Sequence, residues 1–223
     1  MPSKKKLPQA NPIHFSLFVL LVSLTFILWV VYRFRLHFPI WFDETVGKAL
    51  FFAAPTWVFI NATRAKSLLE SWQLSKLKPG LLQGIAFGGI FGFVASLTTL
   101  FTSSSKVVAA PLFISDVFWW EFMMALLTGF WETLFFFSFV LTVLLQMYSK
   151  DTLKAILWAV FIFVAFHVPN TLLRFQLADV PLQIVLLVLF AVGQSLIYLY
   201  RRNSYTLVIS HAVWGMALLV HMG

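Results

Sequence analysis

The chain has 223 residues, of which 61% are hydrophobic and 11% charged, with a formal net charge of +8 and no cysteine. An ordinary soluble domain carries about 25% charged residues, and a soluble all-helical domain would show polar helix faces that these apolar runs lack. The absence of cysteine excludes disulfides and thiolate metal sites, and basic residues placed between apolar runs point to membrane orientation rather than to nucleic acid.

Crossing a bilayer takes about 20 apolar residues. The expected fold is therefore all-α, a polytopic transmembrane helical bundle of about seven spans, with six to eight as the bounds. After MPSKKKLPQANP comes the first span, 13–32. It is too long for a signal-peptide core, and VYRFRLHF offers no small-residue cleavage site, so it is expected to stay uncleaved. The second span, 46–62, is short and contains Pro55.

The third span, 81–101, places Gly84, Gly88, Gly92 and Ser96 at every fourth position. Small residues at that spacing form one groove on a helix and let a neighbouring backbone come close. Packing within the chain is the favoured reading of that groove; a homodimer seam through Gly84, Gly88 and Gly92 is the functional one. The sequences TSSSK at 102–106 and RFQLADVP at 174–181 read as connections.

The fourth span, 117–147, would be ~46 Å long as a helix against a hydrocarbon core of about 30 Å. Its opening, DVFWWEF, is expected at the interface, with Trp119 and Trp120 at headgroup level. The fifth span is 154–168, ended by Pro169. The sixth and seventh are 181–200 and 205–222.

Orientation follows from Lys and Arg. With the N-terminus inside, eleven basic residues lie inside: Lys4, Lys5, Lys6, Arg64, Lys66, Lys76, Lys78, Lys150, Lys154, Arg201 and Arg202. Five lie outside: Arg33, Arg35, Lys48, Lys106 and Arg174. The expected protein is an integral, multi-pass membrane protein with a cytoplasmic N-terminus, in contact with lipids and not with nucleic acid.

Ionisable residues inside spans are costly and mark function by default. Glu132, in GFWETLFFFSF, is the sole charge between Glu121 and Lys150. A charge at a helix centre costs about 2.5–3.5 kcal/mol on insertion scales, so Glu132 needs a partner or a proton. His167 and His211 are the candidate partners, although either histidine alone would more often be structural. Glu132 and His167 stand 18 and 17 residues from the turn near residue 150, which predicts similar depth. His211 lies about nine residues past Arg201–Arg202, and a simple count puts it nearer the inner surface than His221. Either the helices are offset along the membrane normal or His221 is the partner. A carboxylate and two imidazoles can activate water directly. They can also hold Zn2+ through Glu132, His167 and His211, with an open fourth position for hydroxide. Both suit amide hydrolysis, and a proton relay would use the same residue types.

At these residues the sequence resembles the CPBP family of intramembrane proteases, which includes the CAAX prenyl endopeptidase. The family pattern is E-E-x-x-x-R, then F-x-x-x-H, then H-x-x-x-N. The second motif is intact as FVAFH, Phe163 to His167, followed by VPN. The first reads ETLFFF, Glu132 to Phe137, with Thr133 and Phe137 at the second glutamate and the arginine. The third reads HAVWG, with Gly215 at the asparagine, after YRRNSYTLVIS.

The resemblance covers roughly 117–223. It implies a core with the three motif helices there, while the N-terminal transmembrane helices, about three spans over 1–116, rest on the apolar runs alone. It favours His211 over His221. It implies an intramembrane endopeptidase in which Glu132 activates water beside His167 and His211, acting on a peptide or protein such as a prenylated or bacteriocin-related peptide. The departures cut the other way. Without the arginine, Glu132 lacks a permanent cation and is expected to be a poorer base. Without the asparagine, an amide donor to an oxyanion is missing, an effect of about 2.7–4 kcal/mol in a barrier. Gly215 instead leaves open room one turn beyond His211. The alternative reading is a catalytically inactive relative that binds or assembles other membrane components. A transporter or proton channel comes third, since the spans lack paired interruptions.

Overall fold

The computed structural model describes residues 12–102 and 117–220. Lys106, most of the 102–106 connection and His221 lie outside the described residues. Among those described, the chain forms seven long helices and no strand. They are α1 (Pro12–Arg35), α2 (40–63), α3 (Leu77–Thr102), α4 (118–147), α5 (Thr152–Arg174), α6 (Val180–Arg201) and α7 (Ser204–Val220). Five segments are long and apolar enough to cross a membrane: His14–Arg35, Lys66–Thr98, Phe118–Met147, Thr152–Arg174 and Val180–Arg201. Of the other two helices, α2 carries Asp43, Glu44 and Lys48, and α7 has 17 residues.

The second half of α4 is the axis of the bundle. Phe135, Phe136, Phe137, Phe139, Val140 and Leu141 are all buried. Its neighbours turn their large apolar side chains outward instead, as Leu20 and Ile27 do on α1, Ile85 and Phe93 on α3, and Leu157 and Phe161 on α5. An outer shell of this kind has lipid as its solvent. Helix α1 packs on α2 and α5, α3 on α7, α4 on α7, and α5 on α6. Trp119 and Trp120, at the start of α4, are exposed.

The glycine groove of α3 is filled from within the chain. A Cβ built on Gly84 would fall 2.5 Å from Ile209 Cβ, and one on Gly88 would fall 2.6 Å from Val213 Cβ. At Gly84 and Gly88, the seam considered for a homodimer is thus the seam between α3 and α7.

The fifth span is longer than expected. Helix α5 runs through Pro169 to Arg174. A proline removes one N–H and crowds the preceding turn, yet in a bilayer a broken helix would leave backbone groups with no water to accept them. The carbonyls around the proline receive other donors. Trp29 Nε1 donates to Phe166 O at 2.9 Å, and Thr171 Oγ1 donates to His167 O at 3.0 Å.

Helix α7 starts deep. Two short 3₁₀ turns, Lys66–Trp72 and Leu74–Lys76, lead into α3 and fold beneath its first residue. Ser204 Oγ donates to Ser71 Oγ at 2.7 Å and lies 3.0 Å from Ser138 Oγ, and Trp72 Nε1 donates to Ser138 Oγ at 2.9 Å. Lys76 Nζ donates to Arg202 O and Asn203 Nδ2 to Lys76 O, both at 2.8 Å. Asn203 and Ser204 are buried. The turn between α6 and α7 thus begins level with Ser138, inside the bundle.

Candidate active site

Glu132 sits where the α-helical first part of α4 gives way to a wider π-helical stretch, Thr133–Leu141. Such wide turns recur at functional sites. The residue is 3% exposed, and its two oxygens face different partners. Oε1 accepts from Lys48 Nζ at 2.9 Å. Oε2 lies 3.1 Å from His167 Nε2 and 3.5 Å from His211 Nε2.

The offset of α7 explains the presence of His211. Ser138 is six residues beyond Glu132, and Ser204 is seven before His211. Because Ser138 and Ser204 touch, two antiparallel helices bring Glu132 and His211 to one level. Gly129 lets them close together. A Cβ there would stand 2.8 Å from Val208 O and 3.3 Å from His211 Cβ.

Aromatic packing sets the imidazole planes. Phe163 stacks on His167 with centroids 4.1 Å apart at 24°. Phe190 meets His211 edge-on at 5.0 Å and is itself stacked on Trp214 at 4.0 Å. His167 Nδ1 lies 2.7 Å from Phe163 O. A carbonyl only accepts, so Nδ1 carries the proton there, and Nε2 donates to Glu132 when the ring is an imidazolium. The Nδ1 atom of His211 is buried and has no partner among the described residues. The His167 side chain, 16% exposed, is the more open of the two rings.

Lys48 is the residue that sequence reasoning misplaced. The expectation that it is one of the outer, orienting cations is overturned, because it is buried inside the bundle. It is 4% exposed and lies 2.6 Å from Glu44 Oε2 as well as 2.9 Å from Glu132. The cation missing at Phe137 is therefore present in space, carried by α2, and the expectation that Glu132 lacks one is corrected. A signal existed in the sequence. Lys48 falls inside the second span, 46–62, and stands four residues after Glu44, so the rule that drew attention to Glu132 applied equally to it.

Thr133 is fully buried and its hydroxyl has no partner among the described residues, while Phe137 packs against Phe163. A Cβ built on Gly215 would meet nothing among the described residues within 4 Å, so the room anticipated there is open to them.

Residues 114–217 match a family model described as type II CAAX prenyl endopeptidase Rce1-like. No curated protein and no solved structure matches the chain.

Proposed function

We propose that this membrane protein, whose residues 114–217 match the model of Rce1-like type II CAAX prenyl endopeptidases, is an intramembrane endopeptidase with Glu132 as its general base. The observation that carries the reading is the approach of one buried carboxylate oxygen, Glu132 Oε2, to His167 Nε2 at 3.1 Å and His211 Nε2 at 3.5 Å. Three protonatable groups from three helices meet there, with Phe163 packed on His167 and Phe190 on His211.

In the proposed reaction, water gives a proton to Glu132 Oε2 as its oxygen bonds to the peptide carbonyl carbon. Ring N–H groups of His167 and His211 stabilise the resulting oxyanion. Glu132 returns the proton to the amine nitrogen as the C–N bond breaks. The products are a carboxylic acid and an amine. The peptide enters beside His167, the more open ring, with a cytoplasmic N-terminus for the chain.

The donor set does not suit Zn2+. Glu132 is already paired with an ammonium 2.9 Å away, which would repel a divalent cation. Among the described residues no group of three His, Asp or Glu side chains is arranged to hold a metal. The proposed route is accordingly metal-free.

The test is cleavage of a peptide library, prenylated and unprenylated, by the purified protein in lipid nanodiscs. The expected result is cleavage that Glu132→Gln abolishes and that chelator leaves intact. Absence of cleavage by the unaltered protein would sink the reading. It would favour the inactive binding relative, to which Thr133, Phe137 and Gly215 already lend support.

A further inference from the structure

We propose that Lys48 is a positioning residue of this site, and that the Glu44–Lys48 pair of α2 supplies the two charges that the first motif lacks at Thr133 and Phe137. The inference rests on the reading of Glu132 as the reacting carboxylate.

The pair and α4 form a closed clamp. The Thr128 hydroxyl donates to Glu44 Oε2. Lys48 Nζ contacts that same Glu44 oxygen at 2.6 Å and Glu132 Oε1 at 2.9 Å. Thr128 and Glu132 are four residues apart on α4, as Glu44 and Lys48 are on α2, so both pairs line matching faces of their helices. Glu44 lies in the π-helical stretch Asp43–Gly47, and Lys48 joins it to a second one, Ala49–Ala53. Neither Thr133 nor Phe137 can bring a charge to the site, and both are buried.

The arrangement has a directional consequence. With Oε1 held by the ammonium, Oε2 is the oxygen left to face His167 and His211. The charged and titratable groups around Lys48 are Glu44 on its own helix, Glu132 on α4, and His167 and His211 behind that carboxylate. Removing the ammonium would leave two buried carboxylates without the cation they share, and one would take up a proton. The active unit therefore extends beyond residues 114–217 into the second helix.

The experiment uses the full chain in nanodiscs. Infrared difference spectra against Glu132→Gln isolate the Glu132 signal, and peptide cleavage is measured in parallel. For the unaltered protein and Lys48→Arg, Glu132 is expected to give an ionised-carboxylate band. For Lys48→Met it is expected to give the carbonyl band of a protonated acid. kcat should fall roughly 10²-fold or more in Lys48→Met, with KM little changed, and Lys48→Arg should recover most of it. If Lys48→Met does not fold, the double variant Glu44→Gln/Lys48→Met, which removes one charge of each sign, is put through the same measurements. An unchanged Glu132 band with undiminished kcat in either neutral variant overturns the proposal. The infrared result does not depend on turnover. A protein that cleaves nothing but shows the band change loses the protease reading while keeping the clamp.

Discussion

Ser204 Oγ lies 3.0 Å from Ser138 Oγ, deep inside the bundle. That contact sets the depth at which α7 begins, and so decides that His211 faces Glu132. Both serines are fully buried and joined to Ser71 and Trp72. Ser138→Ala leaves Trp72 Nε1 without its acceptor and should cost about 1–3 kcal/mol, while adding no bulk between α4 and α7 and so sparing most activity. Ser138→Leu overpacks the same space, costs about 1–3 kcal/mol, and moves α7 along its axis. Thermal unfolding and cleavage rate, read together, check this: Leu should depress kcat far more than Ala.

Gly129 is expected to tolerate no side chain without loss of function. Its Cβ would meet Val208 O at 2.8 Å, which is backbone and cannot swing away. Gly129→Val should separate α4 from α7, with a cost of about 1–3 kcal/mol for overpacking. A distance measured by paired spin labels on α4 and α7 should lengthen as cleavage falls. An unchanged distance would contradict the close approach.

Gly84→Ile and Gly88→Val should destabilise the single chain rather than dissociate a dimer. The clashes are with Ile209 and Val213 of the same molecule. Unfolding midpoints should drop, with a cost of about 1–3 kcal/mol each. The apparent mass in detergent should be the same for variant and parent. A mass that halves on substitution would restore the dimer seam.

Gly215→Asn is expected to be accommodated. No described residue comes within 4 Å of a Cβ there, and replacing glycine in a helix interior changes stability by less than about 1 kcal/mol. If the missing amide limits the reaction, kcat should rise, with a ceiling of roughly 10³-fold for one restored oxyanion donor. A folded variant with unchanged kcat would show that the asparagine position plays no part in this protein's chemistry.

The sequence was enough to establish the helical membrane bundle, because an apolar run long enough to span hydrocarbon leaves a helix as the way to satisfy its backbone. It also singled out Glu132 and His167, because buried charge is rare in such runs, and paired them by counting from one turn, while the choice of His211 over His221 came from the motif resemblance. That counting works for helices joined directly at a membrane surface. It fails for α7, whose first residue rests on Ser71 and Ser138 rather than at the surface. Hydropathy likewise says only that Lys48 is near the edge of a span. Whether it points to water or to Glu132 depends on how α2 packs against α4, a contact between residues 84 positions apart. Composition and period are local properties and survive in the linear chain. The depth of a helix and the partner of a charge are set by long-range packing, and they exist once the helices have closed together.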